Sequence, residues 1–189
     1  MESLTGFAAT PKYIARRSPL ICTHGIVSTS QPLASEIGLR ILKAGGTAAD
    51  ACVAAVAALN CTEPCMCGIG GDAFCLYYEA SSGKVHALNG SGAAPSDLTL
   101  ELARATGGPG GGPVKGGYEM LDPGSPHAVT VPGAAALWAD CVAMFGRKPL
   151  AEVLQPAIEL AEEGFPINTI ASGDHHITNP NVRVLEPKR

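Results

Sequence analysis

The sequence predicts a layered α/β or α+β domain with a helix buried inside it, and two patterns predict this. Ala51 to Leu59 is apolar on every side and built from Ala, Val and Leu with Cys52, which demands burial on all faces against close neighbours. Ala73-Phe-Cys-Leu-Tyr-Tyr78 and Lys84-Val-His-Ala-Leu88 are β-prone runs joined across Ser81-Ser-Gly83, a hairpin. A helix buried all round and a sheet in one chain belong to a layered molecule, with that helix in its middle.

The elements follow in order. Residues 1–23 read as an irregular arm carrying Arg16-Arg-Ser-Pro19. Gly25-Ile-Val-Ser-Thr-Ser30 is β-prone and predicts a short strand. Pro32 then sits where a first helical turn tolerates proline. Leu33, Ile37 and Ile41 recur at i+4 beside Ala34 and Leu42, an amphipathic helix to about Ala44 that Gly45-Gly46 stops. Thr47-Ala-Ala-Asp50 has capping-box spacing, so the buried helix should begin there.

After the hairpin, Leu98 to Ala105 predicts a short helix, and the low-complexity run Gly107 to Gly117 a mobile loop. His127-Ala-Val-Thr-Val131 predicts a strand ended by Pro132-Gly133. Ala134 to Phe145 is a helix closed by Gly146. Glu152 to Glu163 is a helix broken near Pro156 and terminated by Gly164. Residues 168–189 have little periodicity and should be loosely held.

The 189 residues, 46% hydrophobic and 16% charged, suffice for one domain with a sizeable core. A net charge of −4 argues against nucleic acid or an anionic membrane surface as the main partner. The start, Met1 to Lys12, has no basic region leading into an apolar stretch, and no run is long enough to span a bilayer, so a cytoplasmic location is expected. Asn60-Cys-Thr and Asn89-Gly-Ser therefore read as chance glycosylation sequons.

Candidate chemistry is sparse. The seven cysteines read as free thiols, and Cys61, Cys65, Cys67 and Cys75 as buried ones. The spacing C-x3-C-x-C-x7-C over Cys61, Cys65, Cys67 and Cys75 lacks the paired geometry of zinc sites, so no metal is expected. Gly68-Ile-Gly70-Gly-Asp-Ala73 fits a dinucleotide fingerprint but follows a helix and precedes a strand, the reverse of the required order. It reads as a tight helix-to-strand connection, and no cofactor is expected. Gly107 to Gly117 lacks the ending of a phosphate loop. His86 reads as structural, His127 has no carboxylate nearby in sequence, and Asp174-His175-His176 reads as solvated. No G-x-S-x-G elbow occurs, and no nucleophile–base pair assembles from the residues alone.

Several segments together resemble a known family. They are Gly25-Ile-Val-Ser-Thr-Ser-Gln-Pro-Leu-Ala-Ser35, Ile41-Leu-Lys-Ala-Gly-Gly-Thr-Ala-Ala-Asp-Ala51, Thr62-Glu-Pro64 with Gly68-Ile-Gly-Gly-Asp72, Val131-Pro-Gly133 and Leu154 to Pro166. In order, over about residues 16 to 167, they resemble the large-subunit start of γ-glutamyltranspeptidases, also called glutathione hydrolases. The Arg16 arm and Asn89-Gly-Ser-Gly92 look most similar to the signal-less, cytosolic-type branch.

The resemblance implies a partial N-terminal-nucleophile hydrolase αββα sandwich. Residues 24–167 would be its large-subunit segment, between the 1–23 arm and a divergent 168–189 tail. It implies a self-cleaving proenzyme in which a Thr heading the small subunit attacks the γ-glutamyl amide, with its own α-amine as base. Water or an acceptor amine then resolves the acyl-enzyme. That Thr lies beyond these motifs, so the expectation is an N-terminal fragment, inactive alone, with sheet edges and the Ala51–Leu59 helix uncovered.

Family members also hold the substrate α-carboxylate with an Arg just before Ala-Pro, a grip suited to a bidentate guanidinium. In Asn89-Gly-Ser-Gly-Ala-Ala-Pro95 that position falls at Ser91 or, by the signal-less pattern, at Ala93. Ser91, Gly92 and Ala93 are thus the candidate substrate-binding residues, and none is basic. A lost charge-assisted pair costs about 1.5–3 kcal/mol, so the parent enzyme is expected to prefer something other than γ-glutamyl compounds. Two other functions fit the chain: a non-catalytic partner of a small subunit or paralogue, and a thiol- or metal-binding domain built on Cys61–Cys75.

Overall fold

Along the chain, helices α1 (Pro32–Lys43) and α2 (Ala48–Thr62) precede the antiparallel strands β1 (Ala73–Glu79) and β2 (Lys84–Gly90). Helix α3 (Leu100–Thr106), the ribbon β3 (Pro113–Val114) and β4 (Tyr118–Glu119), a 3-10 turn at Pro126–Ala128, α4 (Ala134–Phe145) and α5 (Leu150–Glu163) follow. The computed structural model describes residues 18–106, 113–114, 118–119 and 125–167. The expected arm to residue 17 and the tail at 168–189 lie outside them, as does most of the Gly107–Gly117 run.

Helix α2 sits where its composition requires. Ala49, Ala51, Val53, Ala54 and Ala58 are buried, with α1, α4 and α5 packed around them. Alanine's small side chain lets these helices approach closely, and close packing turns many weak dispersion contacts into cohesion. The expectation of an uncovered α2 is therefore corrected: this chain's own helices cover most of it, and Cys52 remains on an exposed strip.

Its start is the predicted capping box. The Thr47 hydroxyl accepts from the Asp50 amide at 3.3 Å, while the Thr47 amide donates to Asp50 Oδ2 at 2.7 Å. The same Oδ2 accepts from the Arg147 amide at 2.9 Å, so a fully buried carboxylate also ties α2 to the α4–α5 connection.

The hairpin pairs Cys75 with Leu88 and Tyr77 with His86, and its residues alternate in burial as a half-covered sheet must. Ala73, Cys75, Tyr77 and Leu88 face α4 and the core. Tyr77 stacks on Phe145 of α4 with ring centroids 4.4 Å apart. The other face carries Phe74, Leu76, Tyr78 and Val85, all at least 63% exposed.

Three sequence expectations are corrected. Residues 25–30 form no strand: Ser30 and Gln31 instead donate from their side chains to Glu63 at 2.6 and 2.8 Å, fixing an extended segment without a ladder. Residues 127–131 form no strand either. The Ser125 hydroxyl accepts from the His127 amide at 3.2 Å and starts the 3-10 turn. Helix α5 runs unbroken through Pro156, because Val153, Pro156 and Ala157 form its buried face and that packing outweighs the proline's cost. Among the described residues, no helix is long and apolar enough to cross a membrane.

Candidate functional site

Gly68–Gly71 turns the chain out of α2 and into β1, which delivers Asp72 to the end of the hairpin. There Asp72 Oδ1 accepts from the Thr130 hydroxyl at 2.7 Å and from the Gly92 amide at 3.2 Å. Its Oδ2 accepts from the Ser91 hydroxyl at 3.2 Å. The carbonyl of Gly71 accepts from the amides of Gly133 and Ala134 at 3.1 and 3.0 Å, and the Val131 amide donates to the Ala93 carbonyl at 3.4 Å. Three loops, 68–72, 91–95 and 129–133, are thus laced together around one carboxylate.

The glycines permit this closeness. A Cβ on Gly92 would stand 1.7 Å from the Val131 carbonyl oxygen, and one on Gly133 would stand 2.2 Å from that of Gly90. No side chain fits either place. The Thr130 hydroxyl, then the Gly92 amide and the Ser91 hydroxyl, hold the Asp72 carboxyl below its usual 3.8. The cluster therefore presents a fixed anion at neutral pH.

Of the candidate residues, Ser91 and Gly92 meet at Asp72, and Ala93 joins through its backbone. The Ser91 amide also donates to Asn89 Oδ1 at 3.0 Å. Asp72 and Thr130 are the members that sequence reasoning passed over. Asp72 ends the glycine motif, but nothing in the sequence says that residues 72, 92 and 130 meet.

The Cys61–Cys75 group does not converge. Cys61 Sγ points to the Ala157 carbonyl at 3.6 Å, whereas Cys75 Sγ faces Cys141 Sγ at 3.9 Å. The expectation that these four thiols are buried is corrected, since all are half-buried; of the other cysteines, Cys141 is buried and Cys22 and Cys52 are exposed. His127 Nε2 lies 2.7 Å from the Thr106 hydroxyl, and His86 lies 3.4 Å from Glu79. Behind Asp72 lies a cavity of about 450 Å³, walled by α2, β1, α4 and the Met66–Asp72 turn.

Helices packed on one face of a hairpin, with glycine-dense loops gathered at its end, are a segment of the N-terminal-nucleophile hydrolase fold. The chain belongs to the gamma-glutamyltranspeptidase family, whose model matches residues 34–187. It is 37% identical over 160 residues to the Acylase ACY 1 proenzyme of Pseudomonas sp. (strain SE83), a match covering 85% of this chain and 28% of that protein. Its structure is similar to that of cephalosporin acylase from Bacillus halodurans, with a TM-score of 0.67 and 40% identity over 92% of this chain and 32% of that one. It is also similar to Helicobacter pylori gamma-glutamyltranspeptidase, with a TM-score of 0.67 and 32% identity over 82% of this chain and 42% of that one. The chain spans under a third of the length of the curated relatives it matches.

Proposed function

We propose that this chain is the large-subunit portion of an N-terminal-nucleophile amidohydrolase or acyltransferase, and that Ser91–Ala93 forms the wall against which the substrate's acyl group lies. The observation carrying this reading is the lacing of residues 91–93 to Asp72 and Thr130. Those bonds tether that segment at the hairpin's end, and a binding wall has to be held in place. The acyl group need not be γ-glutamyl. Neither Ser91 nor Ala93 can grip a carboxylate as an arginine does, and relatives named acylases stand beside those named glutathione hydrolases.

On this reading the 189-residue chain is inactive by itself, because the Thr nucleophile belongs to the small subunit. Purified chain should release no anilide chromophore from a γ-glutamyl or a neutral acyl anilide, and turnover that scales with its concentration would sink the proposal. Combined with a Thr-headed small subunit, it should favour the neutral acyl anilide. Ala93→Arg should then raise γ-glutamyl turnover at low substrate by roughly ten- to a hundredfold.

The exposed Phe74, Leu76, Tyr78 and Val85 face supports a second reading, a non-catalytic partner subunit. A complex with the small subunit that forms on size exclusion with light scattering, yet never turns over, would favour it.

A further inference from the structure

We propose that Cys75 and Cys141 are a redox pair, which a peroxide oxidises to a disulfide that bolts β1 to α4. Their sulfurs lie 3.9 Å apart, on residues separated by 66 positions. A disulfide is about 2.05 Å long, so each sulfur has to move by roughly 1 Å, which side-chain rotation can supply. Cys75 sits on the inward face of β1 and Cys141 on the buried face of α4. Both open onto the cavity of about 450 Å³ behind Asp72, whose wall also carries Cys52 and Cys67.

The two thiols are unequal. Cys75 is half-buried, whereas Cys141 is 1% exposed. Burial, and then the neighbouring Cys75, push the Cys141 thiol up to about 12, so it stays protonated and unreactive alone. This orders the chemistry. The Cys75 thiolate attacks the peroxide, takes one oxygen as a sulfenic acid, and water leaves. The Cys141 sulfur then attacks the Cys75 sulfur, and the departing hydroxide leaves as water with the Cys141 proton. Two thiols and one peroxide give one disulfide and two waters, with two electrons passing to the peroxide.

The bond would fasten together the two elements that begin at the loop cluster: β1 starts directly after Asp72, and α4 directly after Gly133. Oxidation is therefore a lock on the wall that holds Ser91 and Gly92, whichever acyl group that wall serves.

The test uses the reduced, full 189-residue chain and one equivalent of hydrogen peroxide. Denaturing alkylation and peptide mass mapping then locate any cross-link. The expected product is a Cys75–Cys141 linked peptide pair, two hydrogens lighter than its parts and reversed by dithiothreitol. The thermal midpoint should rise by about 5–10 °C. Cys52→Ala should keep the link, and Cys75→Ser should leave Cys141 open to alkylation after denaturation. A link from Cys75 to Cys52 or Cys67, or full alkylation of Cys141 after oxidation, overturns the pairing. A correct link with no rise in midpoint overturns the lock. Should Cys75→Ser fail to fold, the map of the unaltered chain decides alone.

Discussion

Asp72 joins parts of the chain that lie 20 and 58 residues away from it, through Gly92 and Thr130. It is exposed, so its role is to orient loops rather than to stabilise the whole fold. Asp72→Asn keeps the shape but removes the charge that strengthens these bonds. Hydrogen exchange at the Gly92 amide should then be roughly two- to tenfold faster, and an unchanged rate would contradict this role. The pH dependence follows the same logic. The folded carboxyl titrates below its usual 3.8, so its contribution is present above that value and lost as pH falls through the depressed one. Gly92 protection should be level from neutral pH to about pH 4 and drop below it, and that drop should vanish in Asp72→Asn. The neighbouring glycines make a steric prediction: Gly92→Ala and Gly133→Ala should each destabilise by about 1–3 kcal/mol in urea unfolding, because their methyl groups meet backbone atoms that cannot turn aside.

At the scale of elements, local sequence chemistry and tertiary packing divide the work visibly. The α2 cap is local: Thr47→Ala should cost about 1 kcal/mol, since it removes one hydroxyl from one helix end. Asp50→Ala should cost more by urea unfolding, because it strips partners from both the Thr47 and the Arg147 amides. Equal losses would mean that the tie to residue 147 contributes nothing. Hairpin and helix starts were legible in the sequence because alternation and capping spacing operate within a few residues. Residues 25–30 and 127–131 are not legible in this way, for the opposite reason. They are β-prone, but a strand needs a neighbour to pair with, and side-chain bonds from Ser30, Gln31 and Ser125 set their paths instead. Pro156 likewise reads as a break until its position on the buried face of α5 is known.

Across the whole molecule, the described residues bury one face of the hairpin and leave the other open. Phe74, Leu76, Tyr78 and Val85 form that open face, and a surface of this kind on a sheet invites a covering layer. Leu76→Lys should change urea stability of the chain by no more than about 0.5 kcal/mol, because Leu76 is 79% exposed. It should also lower the fluorescence of an apolar dye bound to the chain. A loss well above that would mean the chain covers this face itself.

The sequence by itself determined the family, the order of the helices, the capped start of α2 and the hairpin, since each is written in short-range pattern or in motif order. It also marked residues 91–93 as a loop of interest without saying what touches them. Only the tertiary structure decided that Asp72 and Thr130 hold that loop, and that Cys75 faces Cys141 rather than its sequence neighbours. The physical reason is the same in both cases. Contacts between residues tens of positions apart depend on how α4 packs against the hairpin, and no local periodicity encodes that meeting.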